Sequence, residues 1–224
     1  MSRLLNKKIR EPSARGRPID QNKQDEQKSK LLDAAQKLLQ SQSYRDITIR
    51  ALSQEAQINS AMVSYYFDGK EGLFLALLDR MSGTHFNQIQ RIAKTDQPIR
   101  AFIHFILKML NENNGFARFI YDEFDQNQSQ LGDAFIKRFP TKMAQILPNL
   151  ILKHTAIRDK RQAKFAAFTL MSMVIMPFVG RSIRQKAWKI SDDDIATDSW
   201  AEHIYKLFIA GCGQQDDMNN IKPE

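Results

Sequence analysis

Three small side chains near the N-terminus, Ser60, Ala61 and Ser64, have the spacing of one face of a short helix. A serine hydroxyl can donate to or accept from several base edges, and an alanine methyl can contact the methyl group of thymine. Such residues permit close approach to duplex DNA, whose major groove is about 12 Å wide and admits one helix. They therefore predict a surface that contacts bases, without indicating which sequence it reads.

Larger donors on the same segment suit phosphate oxygens. Lys70 falls in the first turn of a predicted helix, where a cation opposes the helix dipole at a cost of a few tenths of a kcal/mol. A bound phosphate would offset this cost. Tyr65 and Tyr66 offer hydroxyl donors to phosphates, and Arg50 could contact guanine or a phosphate. The structural alternative is that the tyrosines cover a small core and that Lys70 is an ordinary solvated lysine.

Short helices must position these groups. Apolar residues recur at helical spacing from Leu31 onwards and predict a first helix. Thr48 and Asn59 are suited to cap a second and a third helix, because their side-chain oxygens accept from free amides of the first turn. Asp68 and Glu71 have the layout of a capping box at the start of a long fourth helix. Two short helices joined by a tight turn indicate a helix-turn-helix.

The segment also resembles the signature of the TetR/AcrR family. The motif consists of Thr48, Arg50, Leu52, Ser53, Glu55, Ala56, Ile58 and Asn59, followed by Tyr65, Tyr66, Phe67, Lys70, Glu71 and Leu73. The resemblance covers roughly residues 31–78. It implies an all-α protein with an N-terminal three-helix DNA-binding domain and a C-terminal helical domain for ligand binding and dimerisation.

The resemblance also implies roles for single residues. Thr48, Tyr65 and Lys70 fall on family positions that usually contact phosphates. Ser60 and Ala61 fall on positions that usually face bases. The chain departs from the family pattern twice: Gln57 stands in the turn where the family often has glycine, and Ser64 stands where it often has an aromatic residue.

The predicted organisation begins with a basic arm. We expect a flexible arm over residues 1–25, a helix-turn-helix domain over 26–72, a ligand-binding and dimerisation domain over 73–212, and a disordered tail over 213–224. Within the arm, Arg15 and Arg17 flank Gly16 in a slim cationic segment that could enter an A·T-rich minor groove. The alternative is an arm that is simply solvated.

The remainder of the chain predicts further helices, for a total of about nine, with no strand alternation. Phenylalanine and methionine are frequent there, which is typical of core packing but also suits the wall of an apolar ligand cavity. The candidate ligand-binding residues are Phe102, His104, Phe105, Phe119, Tyr121, Phe168 and Met171. His104 could equally be a satisfied structural residue.

Two late helices, around residues 161–186 and 194–210, resemble the dimerisation helices of the family. Two chains would form a four-helix bundle there. Dimerisation also follows from DNA geometry, because one short recognition helix reads too few base pairs for specificity. Two such helices related by a dyad would read a palindrome with half-sites one helical turn apart or more.

Composition excludes several other classes. The chain has 224 residues, a net charge of +8 and a single cysteine, so neither a disulfide framework nor a cysteine-rich zinc site is expected. No catalytic triad, phosphate-binding glycine loop or paired metal ligands stand out, so we expect no enzyme, cofactor or metal. The most apolar run, residues 165–180, falls short of the roughly 20 residues of a membrane span. No signal peptide is apparent, so the expected location is the cytoplasm.

These expectations converge on a transcriptional regulator. The sequence predicts a repressor that binds a palindromic DNA operator as a homodimer and is released by a small apolar ligand. The alternative is a helical adaptor or interaction module whose basic arm binds nucleic acid or a membrane.

Overall fold

The computed structural model describes residues 21–113, 115, 119 and 129–213. Within these ranges the regular structure is entirely helical, which confirms the predicted all-α class. The helices are α1 (Gln21–Leu39), α2 (Ile49–Ala56), α3 (Ala61–Phe67), α4 (Lys70–Ile92), α5 (Pro98–Glu112), α6 (Gln130–Arg138), α7 (Pro140–His154), α8 (Lys160–Val179), α9 (Arg181–Lys186), α10 (Asp192–Ile195) and α11 (Asp198–Cys212).

The described ranges hold more helices than the nine or so predicted, because the two late helices predicted around residues 161–186 and 194–210 are each divided in two and the chain also divides at Pro140. Pro140 starts α7 directly after α6, since proline is tolerated in the first turn of a helix. Gly180 ends α8, and Thr197 accepts a hydrogen bond from the amide of Trp200 to begin α11. Helix α1 begins at Gln21, within the range predicted for the arm.

One group of buried residues joins the first four helices, and we call it the N-terminal cluster. Its members are Leu31, Ala34, Ala35, Leu39, Ile47, Leu52, Ala56, Val63, Leu73, Phe74, Leu77, Leu78, Met81, Phe119, Leu131 and Phe135. Three of these, Phe119, Leu131 and Phe135, come from beyond α5. We call α1 to α3 with the first half of α4 the N-terminal unit. This unit therefore completes its core with side chains from the C-terminal half of the chain.

A second group, the C-terminal cluster, joins the end of α4 to α5, α7, α8 and α11. Phe102 and Ile103 of α5 lie at its centre and are fully buried. Helix α11 packs against α5, and α7 packs against α8. This cluster forms the body that carries the N-terminal unit.

Helix α4 belongs to both clusters. Its first half contributes Leu73 to Met81 to the N-terminal cluster, and its second half contributes Phe86 to Ile92 to the other. Arg138 at the end of α6 donates to both carboxylate oxygens of Asp79 on α4, at 2.6 and 2.8 Å. These hydrogen bonds lower the pKa of the Asp79 carboxyl. The middle of α4 is thus held from the side by α6.

The start of α4 differs from the predicted capping box. Asp68 has a left-handed conformation, φ 58°, and ends α3, while Gly69 with φ 107° is the residue before α4 and gives no side-chain cap. The reason is the sharpness of the turn, which requires two successive residues with positive φ. A side chain at Gly72 would also collide with the carbonyl oxygen of Phe67, since a Cβ would lie 1.7 Å from it. The two helices therefore pack closely through glycine.

Helix α8 is longer than the apolar run suggested. It begins at Lys160 and has 20 residues, so by length and composition it could cross a membrane, although a core helix of a soluble protein passes the same test. Only 28% of its apolar window is buried. Phe165 and Phe168 lie on its outer face and are 59% and 77% exposed. Helix α8 therefore carries an apolar face that one copy of the chain leaves uncovered.

Candidate nucleic-acid interface

Hydrogen bonds define both ends of α2, including the turn that leads to α3. Thr48 caps α2 as predicted, its hydroxyl oxygen accepting from the amide of Ala51 at 3.1 Å. Gln57 ends α2 in a left-handed conformation, φ 55°, and its amide donates to the carbonyls of Gln54 and Ser53. The turn therefore has the conformation that glycine usually supplies, although glutamine occupies the position.

Gln57→Gly should raise the free energy of unfolding by about 1 kcal/mol, because a left-handed conformation costs an L-residue about that much and costs glycine little. Thermal denaturation measures the change. Gln54→Gly is the matched control: it lies inside α2 and is exposed, so it should destabilise by about 1 kcal/mol. Equal destabilisation by both variants would contradict the strained turn.

Helix α3 presents the predicted base-contacting residues to solvent. Val63 is its one buried residue and anchors it to the N-terminal cluster. Ser60, Ala61 and Ser64 are exposed, and these positions are neighbours on one side of the helix. The side chain of Asn59 accepts a hydrogen bond from the amide of Ala61 at 2.9 Å, so it caps the turn of chain that enters α3. The outer face of α3 is therefore free of bulky side chains at its N-terminal end.

The two tyrosines of α3 have different environments. Tyr65 is 64% exposed, and its hydroxyl is placed at the surface as the sequence predicted. Tyr66 is half-buried, and its hydroxyl donates to the side-chain oxygen of Gln27 on α1 at 2.5 Å. Lys28 places its ammonium 5.8 Å from the centre of the Tyr66 ring. Tyr66 therefore joins α3 to α1, which agrees with the structural alternative for this residue.

Lys70 has internal partners in place of the predicted phosphate. Its ammonium donates to the carbonyl oxygens of Tyr44 at 2.7 Å and Ile47 at 2.8 Å, with a longer contact of 3.4 Å to Arg45. The same nitrogen lies 4.3 Å from the centre of the Tyr44 ring. An ammonium has three protons to donate. Lys70 therefore directs its donors to the loop between α1 and α2.

Two cations lie at the surface near the start of α2. Arg50 is exposed in the first turn of α2, close to the exposed Thr48. Arg45, three residues before Thr48, is also exposed and was not among the predicted DNA-binding residues. Its signal in the sequence was a lone arginine in the loop before a predicted helix cap. Arg15 and Arg17 lie outside the described residues.

The residues predicted to bind a ligand do not form one group. Phe102 is buried in the C-terminal cluster, and Phe105 and Met171 pack against it. Phe119 lies in the N-terminal cluster, and Phe168 is at the surface, so neither is placed to line a cavity inside the C-terminal cluster. Helical spacing does not indicate which face of a helix is covered, so it grouped these two residues with others that lie elsewhere. Tyr121 lies outside the described residues.

The His104 ring lies between two carboxylates. Its Nε2 lies 2.8 Å from Glu202, and its Nδ1 lies 3.2 Å from Asp198, both on α11. Arg100 also donates to Glu202, which lowers the pKa of that carboxyl. His104 therefore joins α5 to α11, which agrees with the structural alternative. Among the residues that the structure describes, no group of three or more acidic, histidine or cysteine side chains could hold a metal.

Residues 31–77, which span α1 to α4, match the family model described as bacterial regulatory proteins, tetR family. Over these residues the chain is similar to the TetR family. A curated relative is the probable HTH-type transcriptional regulator YttP of Bacillus subtilis (strain 168). The two are 24% identical over 102 residues, which is 43% of this chain and 49% of the relative. The match thus spans about half the length of that relative.

Solved structures share the fold along most of the chain. The fatty acid degradation regulator FadR from Bacillus halodurans superposes with a TM-score of 0.67 at 13% identity, covering 84% of this chain and 97% of that one. The transcriptional regulator FadR from Bacillus subtilis, in complex with stearoyl-CoA, gives a TM-score of 0.64 at 15% identity, covering 82% and 98%. The family model and the curated relative both describe regulators, in agreement with the predicted class of protein.

Proposed function

We propose that this protein is a transcriptional repressor that binds a palindromic DNA operator as a homodimer and is released by a small apolar effector. The observation that carries the proposal is the exposed outer face of α3, on which Ser60, Ala61 and Ser64 leave room for base edges. Because Val63 and Tyr66 fix α3 to the rest of the N-terminal unit, this face is presented by a rigid support.

The phosphate contacts of the proposal come from groups that surround α3. Thr48, Arg50 and Tyr65 are exposed and carry donors, and Arg45 adds a further cation. Such contacts fix the position of a protein on the duplex without reading sequence. Tyr66 and Lys70 support the interface from within, since both donate to other parts of the protein. The arm with Arg15 and Arg17 would add a contact in the adjacent minor groove.

The second copy would cover the apolar faces of α8 and α11. Phe165, Phe168 and Met176 lie on one side of α8 and are all more than half exposed. Leu207 on α11 is 54% exposed, and α11 packs against α8. A two-fold axis through such a face would pair it with itself and form a four-helix bundle. The dimer would then present two α3 helices to one duplex.

The effector would bind in the C-terminal cluster, which is rich in aromatic and methionine side chains. Phe105, Met109 and Met171 are half-buried around this cluster, and flexible or aromatic side chains of this kind accommodate apolar ligands. The Bacillus subtilis FadR complex with stearoyl-CoA has the same fold. Stearoyl-CoA is therefore a first probe, with free coenzyme A as its control. A thermal stabilisation by the acyl compound alone would support an apolar effector; no stabilisation by any acyl chain length would count against it.

Release from DNA would follow from a change in the spacing of the two α3 helices. Helix α4 belongs to both clusters, so a shift of α4 within the C-terminal cluster moves the N-terminal unit. A ligand shifts this equilibrium only by its preference for one spacing, and each tenfold loss of operator affinity requires about 1.4 kcal/mol of coupling.

Selection of duplexes from a random library by the full-length protein tests the proposal. We expect the selected sequences to contain an inverted repeat, and a footprint on the strongest of them to protect both half-sites. Binding to this duplex should remain specific as salt rises, whereas sequence-independent binding should weaken steeply. A library that yields no shared sequence at any salt concentration would overturn the proposal.

Lys70→Ala should lower the free energy of unfolding by about 2 kcal/mol, because the half-buried carbonyls of Tyr44 and Ile47 lose their donor. The slope of operator affinity against salt should not change, since the ammonium faces the protein. Arg50→Ala is the control, expected to lower that slope by about one with little loss of stability. A reduced slope without destabilisation for Lys70→Ala would place this residue at a phosphate.

A further inference from the structure

Phe119 lies among aromatic residues of the helix-turn-helix unit. It is 2% exposed, and its ring centre lies 5.8 Å from that of Tyr44 and 6.2 Å from that of Phe74. Tyr44 and Phe74 are in turn 4.8 Å apart, edge to face. We call these three residues the coupling triad. Each belongs to a different part of the chain: the loop before α2, the start of α4, and the region beyond α5.

The region beyond α5 approaches the N-terminal unit at other points as well. A Cβ at Gly115 would lie 1.8 Å from the carbonyl oxygen of Leu39, so the backbones there are in direct contact. Asn113 accepts a hydrogen bond from Gln36 of α1 at 2.9 Å. Leu131 and Phe135 of α6 belong to the same buried cluster as Phe119. These contacts form a second connection between the two halves of the protein, beside the continuous helix α4.

Tyr44 joins this connection to the start of α2. Its ring contacts Phe119, and the Lys70 ammonium lies over the same ring and binds the carbonyls of Tyr44 and Ile47. Ile47 is fully buried and directly precedes Thr48, the cap of α2. The position of Tyr44 is therefore linked, contact by contact, to the beginning of the helix-turn-helix.

We propose that Phe119 is a positioning residue that sets the orientation of α2 and α3 through Tyr44. Packed interiors do not deform continuously, so a displacement of Phe119 requires the coupling triad to repack and the loop before α2 to move with it. If α4 were the only connection, the N-terminal unit could still rotate about the axis of this helix. The second connection prevents that rotation. The effect on DNA rests on the function proposed above, whereas the effect on the loop does not.

Hydrogen exchange of the full-length protein tests the structural step. Phe119→Leu should increase amide exchange in residues 44–52 by about fivefold or more, because the loop loses its packing. Phe208→Leu is the matched control, since Phe208 is 4% exposed and belongs to the C-terminal cluster. It should leave exchange in residues 44–52 unchanged. Equal exchange there in both variants would overturn the proposal, and Tyr44→Leu provides the same test if Phe119→Leu does not fold.

Operator binding tests the functional step on the duplex selected by the wild-type protein. Phe119→Leu should weaken binding about tenfold. Phe208→Leu should weaken it less than twofold, even where the two variants have the same thermal stability. The double variant with Tyr44→Leu should lose less affinity than the two single losses multiplied, as expected for residues in one network. Full additivity, or equal losses in Phe119→Leu and the control, would contradict coupling. If the wild type selects no duplex, the proposed function fails, and the exchange experiment still decides the role of Phe119.

Discussion

Ala61→Glu should lower affinity for the selected duplex by about 100-fold or more, equivalent to about 2.7 kcal/mol. Ala61 is exposed at the start of α3, on the face proposed to enter the major groove. A glutamate there places a carboxylate among base edges and phosphates, where it is repelled by the DNA and loses its hydration. The protein should still fold, because the altered side chain extends into solvent. Gel shift and thermal denaturation measure the two quantities.

Ala144→Glu is the matched control for this prediction. Ala144 is also an exposed helical alanine, and it lies on α7, away from the N-terminal unit. The two variants make the same change in net charge, so the difference between them reports the position of the charge. Comparable affinities for Ala61→Glu and Ala144→Glu would show that α3 does not enter the groove.

Phe168→Glu should convert the protein to a monomer and lower operator affinity by about 100-fold or more, because linking two binding units contributes a factor of 100 to 10,000. Phe168 is 77% exposed on α8 and makes the most exposed part of the apolar face. In a dimer, the new carboxylate would be removed from water against the apolar face of the partner copy, which is unfavourable. Sedimentation analysis gives the mass, and gel shift gives the affinity.

Ile136→Glu is the control for the dimer prediction. Ile136 is also an exposed apolar residue, 42% exposed, but it lies on α6. It should leave both the dimer and the affinity intact. A dimeric Phe168→Glu variant, or equal effects of both substitutions, would move the proposed interface away from α8.

The sequence was sufficient to predict the helices of the N-terminal unit and the exposed face of α3. Thr48 caps α2, and α4 runs as one long helix, because local capping and apolar spacing decide both features. The predicted capping box at Asp68 was wrong for a local reason: the turn between α3 and α4 uses Asp68 and Gly69 with positive φ. Capping patterns identify a helix start without showing whether the preceding residues must reverse the chain.

The roles of Lys70 and Phe119 needed the structure. The motif placed Lys70 near a helix start, but its partners are carbonyls of a loop more than 20 residues earlier in the chain. Phe119 is an aromatic residue of the kind that lines ligand cavities, yet it completes the core of the N-terminal unit. Both assignments depend on contacts between distant segments, which helical periodicity does not reveal.

The same limit applies to α8. The frequent phenylalanine and methionine residues of this segment are typical of core packing or of a ligand cavity, and Phe168 was predicted to bind the ligand. The structure shows that the chain buries Leu170 and Val174 but leaves Phe165 and Phe168 at the surface. An apolar helix face that another copy covers and one that the same chain covers have the same composition. Only the packing of the single chain distinguishes them.

The mass of the complex formed with one selected duplex, measured by sedimentation at stoichiometric concentrations, shows how many copies of α3 the duplex receives. We expect two copies of the chain, or a multiple of two, on a duplex with both half-sites, and a large loss of affinity when one half-site is scrambled. A single copy bound with undiminished affinity to the scrambled duplex would contradict the proposal that two α3 helices enter one duplex together.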